Sequence, residues 1–252
     1  MSKVLICLDP GHGGPDSGAV SKSGLREADV ALTLAEKVSA ALGKYDGVAV
    51  TFTRDRNNSK NYPAPPEGLR KRIAYANASG ADAFVSLHCN SGGGKGFESF
   101  VAGNCSAFSK KMQAVLNEHI LAYLKGYGIG AHGTAAKVDS QSARGRIGVL
   151  RDTKMPAVLL ECLFIDNPNE EKLLRDGNFL DGLAQSIAAG VASAFGLKKK
   201  ATPQPVQPQT KPMHRVIVDG KPVIDSAYKD KLLAALAKAL DKYQDKVEIT
   251  RR

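Results

Sequence analysis

The sequence predicts an α/β protein, with a mostly parallel sheet flanked by helices on both faces, followed by a small C-terminal β-α-β domain. Three observations predict it. Val4 to Leu8, Asp82 to Leu87 and Pro156 to Leu160 are short apolar runs with little or no polar alternation, as expected of strands buried on both faces of a parallel sheet. Segments between them carry apolar residues at helical spacing. A Pro/Gln/Lys-rich stretch then separates a large part of the chain from a small one.

The first strand, Val4-Leu5-Ile6-Cys7-Leu8, runs into Asp9-Pro10-Gly11-His12-Gly13-Gly14. The chain breaks at Pro10-Gly11, and the glycines leave room for a ligand beside the His12 imidazole. Loops leaving strand ends are where α/β enzymes place their chemistry. Leu25 to Val30 then opens a helix whose Val30, Leu34, Val38, Ala41 and Leu42 share one face, which puts Glu27 in its first turn. A Glu there can also simply complement the helix dipole.

The second strand ends in His88-Cys89-Asn90-Ser91 before the glycines at 92 to 94. A helix is predicted over Phe108 to Leu124, with His119 on one of its faces. The Gly-rich stretch Gly126 to Gly145 is long for a structureless connection and reads as a binding loop or lid, with His132 as a substrate-contact candidate. The third strand ends in Glu161-Cys162 ahead of the Asn167-Pro168-Asn169 break. Ends of adjacent parallel strands lie close together, so His12, His88 and Glu161 are expected on one cleft. Two imidazoles and a carboxylate are the ligand set of a catalytic Zn²⁺ that keeps its fourth position open for water.

DPGHGGPDSGA, LREADVALTLA, VSLHCNS and MPAVLLECLFIDNPNE closely resemble the successive motifs of the zinc-dependent N-acetylmuramoyl-L-alanine amidases of bacterial autolysins and phage endolysins, over residues 3 to 196. The resemblance implies that His12, Glu27 and His88 bind one Zn²⁺ and that Glu161 is the catalytic carboxylate. It implies hydrolysis of the amide between N-acetylmuramic acid and L-alanine in peptidoglycan. Asn90 and Asn167 match polar positions of the family and either orient the site or form Asx turns. A zinc peptidase or deacetylase of the wall, and a non-catalytic wall-binding protein, are the alternatives.

Cys89 and Cys162 adjoin His88 and Glu161. Neighbours on a strand point to opposite faces, so both thiols are expected in the packed interior, with a disulfide or ligand role as the alternative. Cys7 and Cys105 have no CxxC spacing, and all four cysteines read as reduced thiols.

The organisation expected is a zinc amidase catalytic domain over 1–197, a Pro/Lys-rich linker over 198–212 and a cell-wall-binding domain over 213–252. The last resembles, less specifically, the small C-terminal wall-binding modules of phage amidases. In it Arg215 to Val218 reads as a strand, Asp219-Gly220 as a turn, Tyr228 to Tyr243 as a helix with Leu232, Leu233, Leu236, Ala239 and Leu240 on one side, and Lys246 to Ile249 as a strand. A core of about 40 residues is marginal, so this helix face is expected to meet a partner surface or, in a homo-oligomer, a second copy.

From Lys198 onward the chain carries 13 Lys/Arg against 6 Asp/Glu, or +7 of the total +10. A basic tail favours polyanions, and anionic wall polymers fit the resemblance. No nucleic-acid signature accompanies the charge, so no nucleic-acid partner is expected. No apolar run reaches the length of a membrane span. The five apolar residues before Asp9 are too few for a secretory signal peptide, so synthesis in a host cytoplasm and action on the wall after membrane permeabilisation are expected, as for a phage endolysin. A host autolysin or mother-cell lysis amidase is the alternative.

Overall fold

In the computed structural model, which describes residues 3–200, 214–218, 221–226, 229–242 and 247–251, the apolar runs form strands of one six-stranded sheet. Its strands are β1 (Val4–Pro10), β2 (Val48–Phe52), β3 (Ala83–Asn90), β4 (Phe97–Val101), β5 (Ala131–Val138) and β6 (Ala157–Phe164). They lie in the order β2-β1-β3-β6-β4-β5. All neighbours are parallel except β4 and β6.

Helices α1 (Glu27–Leu42), α2 (Glu67–Ala78), α3 (Ala107–Lys125), α4 (Gly148–Arg151), α5 (Pro168–Arg175) and α6 (Gly177–Phe195) connect and cover these strands. The period-2 alternation of a strand decides which residue faces which layer. Ile6, Leu8, Val85, Leu87, Val158 and Leu160 pack with Val30 and Leu34 of α1, Leu116 of α3 and Leu183 of α6. Their neighbours Cys7, Phe84 and Leu159 face the other way, toward Ala76 of α2 and Val149 and Leu150 of α4. This two-sided burial is why the runs read without alternation. Each fully buried aliphatic side chain contributes roughly 1.5–3 kcal/mol.

Two of the predicted strands run further than the sequence suggested. β3 continues past Leu87 to Asn90 and β6 past Leu160 to Phe164, and His88 and Glu161 are direct neighbours across the ladder. Cys89 is buried between two half-exposed neighbours, whereas past Cys162 the alternation stops, because Leu163 takes φ 70° at a register shift and is buried as well. The stretch Gly126 to Gly145 is not a structureless loop, because most of it is edge strand β5 followed by a 3-10 turn at Asp139–Gln141. An edge strand with little buried surface carries almost no apolar signal, which hides it from pattern reading.

At the carboxyl end of β1 the polar residue Asp9 is completely buried. Its carboxylate takes hydrogen bonds from Arg72 Nη1 at 2.7 Å, Ser86 Oγ at 2.7 Å and the Thr53 hydroxyl. Burial disfavours its charge, but the Arg72 guanidinium and the two hydroxyls outweigh this and hold the carboxyl below its usual range. Arg72 also donates to the carbonyls of Pro10 and His12, and buried Arg54 donates to those of Gly11 at 2.8 Å and Ala28 at 3.0 Å.

The chain divides into two compact units, Met1–Lys200 and Ala201–Arg252. Lys198 to Lys200 are not free linker, since Asp46 N donates to Lys198 O, Lys200 N donates to Lys44 O, and Tyr45 and Lys199 form a β-bridge. The rest of the expected linker, 201–212, lies outside the described residues. In the second unit β7 (His214–Val218) pairs antiparallel with both β8 (Lys221–Ser226) and β9 (Val247–Arg251), and α7 (Lys229–Lys242) lies between β8 and β9 in sequence. The expected β-α-β order thus gains β8, which the sequence reading left out because Pro222 obscured a short hairpin strand. The Asp219-Gly220 turn lies outside the described residues. On α7 Leu232 is buried but Leu233 is half exposed, because a step of one residue turns a helix by about 100°.

Arg72→Leu is expected to lower the stability of the large unit by about 3–5 kcal/mol in urea unfolding, because it strands the buried Asp9 charge. Asp9→Asn in the same chain should recover part of that loss. The Asp9 carboxyl is depressed on folding, so the stability it contributes is present above the unfolded value of about 3.9 and lost as pH falls below it.

Candidate metal centre and active site

His12 lies just beyond β1 with φ 61°, a left-handed conformation that non-glycine residues adopt at a cost. The Arg72 and Arg54 contacts to the surrounding carbonyls hold this loop in place. The next turn is closed by Gly13 and Asp16, which exchange backbone hydrogen bonds, and a Val20–Arg26 bridge leads the chain into α1. Glu27 is the first residue of that helix and is 4% exposed, so it does more than complement a helix dipole at the surface.

Three side chains meet here. Glu27 Oε1 lies 3.1 Å from His12 Nε2 and 2.9 Å from His88 Nδ1, and the two rings stand edge to face at 4.9 Å. Among the described residues, His12, Glu27 and His88 form a group able to hold a metal ion, each offering one ligand atom within 4.8 Å of the others. Asp16 Oδ2 sits 2.9 Å from His12 Nδ1 and selects the tautomer that presents Nε2 inward. Glu27 is fixed as well, Oε2 accepting from Ala19 N at 2.9 Å and Oε1 from Cys89 N at 3.1 Å. Burial opposes its ionisation, yet the hydrogen bonds from His12 and His88 overcome this and keep its carboxyl far below the usual range. At His12 burial disfavours the cation, but Glu27 and then Asp16 raise its pKa.

Two glycines make the approach possible. A Cβ on Gly11 would fall 2.3 Å from His88 Cε1. One on Gly18, at φ 62°, would fall 2.5 Å from Glu27 Oε2 and 2.6 Å from His12 Cδ2. Neither position admits a side chain without moving the group.

Glu161 lies beside this trio, across the ladder from His88. Its Oε2 is buried without a hydrogen-bond partner. Burial, and then the charges of Glu27 and Glu98, push its carboxyl well above the ordinary value, with Arg144 acting in the opposite sense. An unpartnered carboxylate oxygen beside two imidazoles and an ionised carboxylate suits a site completed by a cation and a water. The donor set, two nitrogens and one oxygen, suits zinc.

These residues line a cavity of about 850 Å³ together with Asn90, Glu98, Lys137, Arg144 and His132. His132 packs tilted against Phe164, ring centres 4.8 Å apart, and its Nδ1 donates to Lys95 O, so it stands on the cavity wall but outside the trio. Asn90 hydrogen-bonds Glu98 within the wall. Asn167 does not reach the cavity: its side chain caps α5 through Asn169 N and Glu170 N. His119 is a half-buried face of α3 away from the cavity. Cys7, Cys89, Cys105 and Cys162 are all free, and three of them are buried.

Sequence reasoning missed Asp16, Arg54 and Arg72. Asp16, four residues past His12 in the same Gly-rich loop, could have been found by asking what holds the second ring nitrogen. The arginines left no local signal.

The family model described as N-acetylmuramoyl-L-alanine amidase matches residues 6–193. The chain is 40% identical over 215 residues to the endolysin of Bacillus phage SPP1, covering 84% of this chain and 73% of that protein. It is 35% identical to the N-acetylmuramoyl-L-alanine amidase CwlM of Bacillus licheniformis, over 79% of this chain and 71% of that one. Among solved structures it resembles the N-acetylmuramoyl-L-alanine amidase of Clostridium difficile 630, with a TM-score of 0.67, 29% identity, and coverage of 78% of this chain and 98% of that one.

Asp16→Asn is expected to leave the fold intact but weaken divalent-metal affinity by about 10–100-fold, measured by competition with a chromophoric chelator. An unchanged affinity would mean that the His12 tautomer is fixed by something else.

Proposed function

This chain belongs to the N-acetylmuramoyl-L-alanine amidase family, and from that premise we propose that it is a zinc-dependent peptidoglycan hydrolase acting as a phage endolysin. The observation that carries the zinc reading is the meeting of His12, Glu27 and His88 around one carboxylate oxygen, with the unpartnered Oε2 of Glu161 beside them.

In this reading His12, Glu27 and His88 hold one zinc ion, and Glu161 is the catalytic base and acid. Zinc held there would supply Lewis acidity, activating the scissile carbonyl and lowering the pKa of water at neutral pH. Glu161 Oε2 takes the proton of the attacking water and passes it to the nitrogen of L-alanine as the amide bond to the lactyl group breaks. Its burial favours that exchange, because a carboxylate with a raised pKa holds a proton more readily than one in water. Glu27 cannot take this part, since hydrogen bonds already engage both its oxygens and hold it ionised.

The relation to the phage SPP1 endolysin supports the lysis role, and the one to the Bacillus licheniformis amidase supports the second reading, a host autolysin. No helix of the described residues is long and apolar enough to cross a membrane. We assign 1–197 as the catalytic domain and 213–252 as a wall-binding domain that engages anionic wall polymers through the basic tail, +7 counted from Lys198 onward, with self-association as the competing role for the tail.

The purified protein is expected to contain one zinc, to lose activity on chelation and to release products with a new L-alanine amino end. Released acetate or a cut within the stem peptide would instead indicate a deacetylase or peptidase. Glu161→Gln should retain zinc while kcat falls by about 10²-fold or more, whereas Glu27→Ala should lose most of the metal. Zinc-free Glu161→Gln protein would reverse the two glutamate roles.

A chain ending at Lys200 should cleave soluble muropeptides like the full-length protein but lyse intact walls about tenfold or more slowly, because the tail raises local concentration without touching the scissile bond. Added salt should narrow that gap by screening the tail. Equal lysis by both chains, at low and moderate salt, would remove the targeting role.

A further inference from the structure

The cavity is lined by four cationic side chains, Arg72, Lys137, Arg144 and Arg146. Three have carboxylate partners: Arg72 pairs with Asp9, Lys137 with Glu98, and Arg146 with Asp152. Arg144 has no ion pair or hydrogen bond from its guanidinium among the described residues, although it stands near enough to Glu161 to favour that carboxylate electrostatically. An exposed arginine at a surface is ordinarily a solvated charge. This one is carried into a cavity on a loop whose backbone is fastened at its base.

The fastening runs through Asp139, which is fully buried. Its carboxylate accepts from Gly103 N at 3.0 Å, from Ile147 N at 3.4 Å and from Arg151. Ser142 Oγ donates to Asp139 O and Gly145 N to Ser142 O, so the turn bearing Arg144 is tied on both sides of that residue. Beside the reacting atoms the lining carboxylates are Asp16 and Glu27, both held by the histidines, and Glu161. Among the arginines and lysines lining the cavity, Arg144 is the one whose guanidinium is left to meet a carboxylate carried by a substrate.

We propose that Arg144 is a specificity-determining residue that binds a free carboxylate of the stem peptide, the α-carboxylate of the residue after L-alanine. This rests on the amidase reading above. In a stem that continues from L-alanine through a γ-linked glutamate, that carboxylate lies one residue from the scissile amide and is free unless amidated. A guanidinium offers it two parallel N–H donors, a geometry that a lysine ammonium cannot reproduce. The bond forms on binding and is unchanged by the chemistry, so it acts on KM more than on kcat.

The test uses the full-length zinc-loaded protein and two soluble muropeptides that differ only in that group, one with the free carboxylate and one with its amide. The wild-type chain is expected to favour the acid. Arg144→Gln should lower kcat/KM for the acid by about 10–100-fold more than for the amide, bringing the ratio between the two substrates close to one, and Arg144→Lys should recover part of the preference. Zinc content equal to wild type shows that the variant is folded at the site. An equal loss on acid and amide, or no loss on either, overturns the carboxylate assignment while leaving the amidase reading intact. Failure of the zinc-loaded wild-type chain to cleave either muropeptide overturns both.

Discussion

The buried ion pair between Asp9 and Arg72 is the constraint on which the rest of this structure depends. A strand that ends in a loop with a left-handed histidine turns the carbonyls of Pro10, Gly11 and His12 toward protein, where water cannot satisfy them, and each needs a donor. Arg72 serves Pro10 and His12 and Arg54 serves Gly11, while Asp9, with Thr53 and Ser86, supplies the counter-charge. Burial and the adjacent Arg72 lower Arg54 to about 10, which still leaves it charged at neutral pH. The imidazole is therefore placed by a polar core built from β1, β2, β3 and α2 and not by its own loop.

From that fixed point the site assembles by proximity. α1 begins where the returning loop delivers Glu27 beneath His12, and β3 brings His88 up to the same oxygen. Ser21 and Ser23 both donate to Glu171 of α5, tying the intervening loop to the helix that follows β6. Three elements that are distant in sequence thus share one carboxylate, and the cost of confining it is met by two backbone donors and two imidazoles.

Much of this was readable from the sequence because burial on both faces of a sheet leaves an unbroken apolar signal. The three central strands, the first-turn position of Glu27, the α3 helix and the convergence of His12, His88 and Glu161 all follow from it. Strand ends were misplaced by about three residues, since the polar residues His88, Asn90 and Glu161 break the apolar run although Cys89 and Cys162 were expected in the packed interior. β5 escaped because an edge strand of small and polar residues buries too little to show a pattern, and β8 because Pro222 is rare in strands. Arg54, Arg72 and Asp139 were invisible for a different reason: nothing local distinguishes a buried arginine or aspartate from a solvated one, and only the tertiary fold selects its partner.

The packing of the cysteines has a chemical consequence beyond the site. Oxidants and alkylating agents attack the thiolate, and burial, reinforced by neighbouring carboxylates, pushes the thiols of Cys89 and Cys162 far above their ordinary range and that of Cys7 to about 12. These three sulfurs are thus withheld from peroxide and from disulfide exchange even though two adjoin the proposed catalytic residues. Only Cys105 is partly open to solvent. A chain arranged in this way can pass between reducing and oxidising surroundings with its hydrolytic centre chemically unaltered.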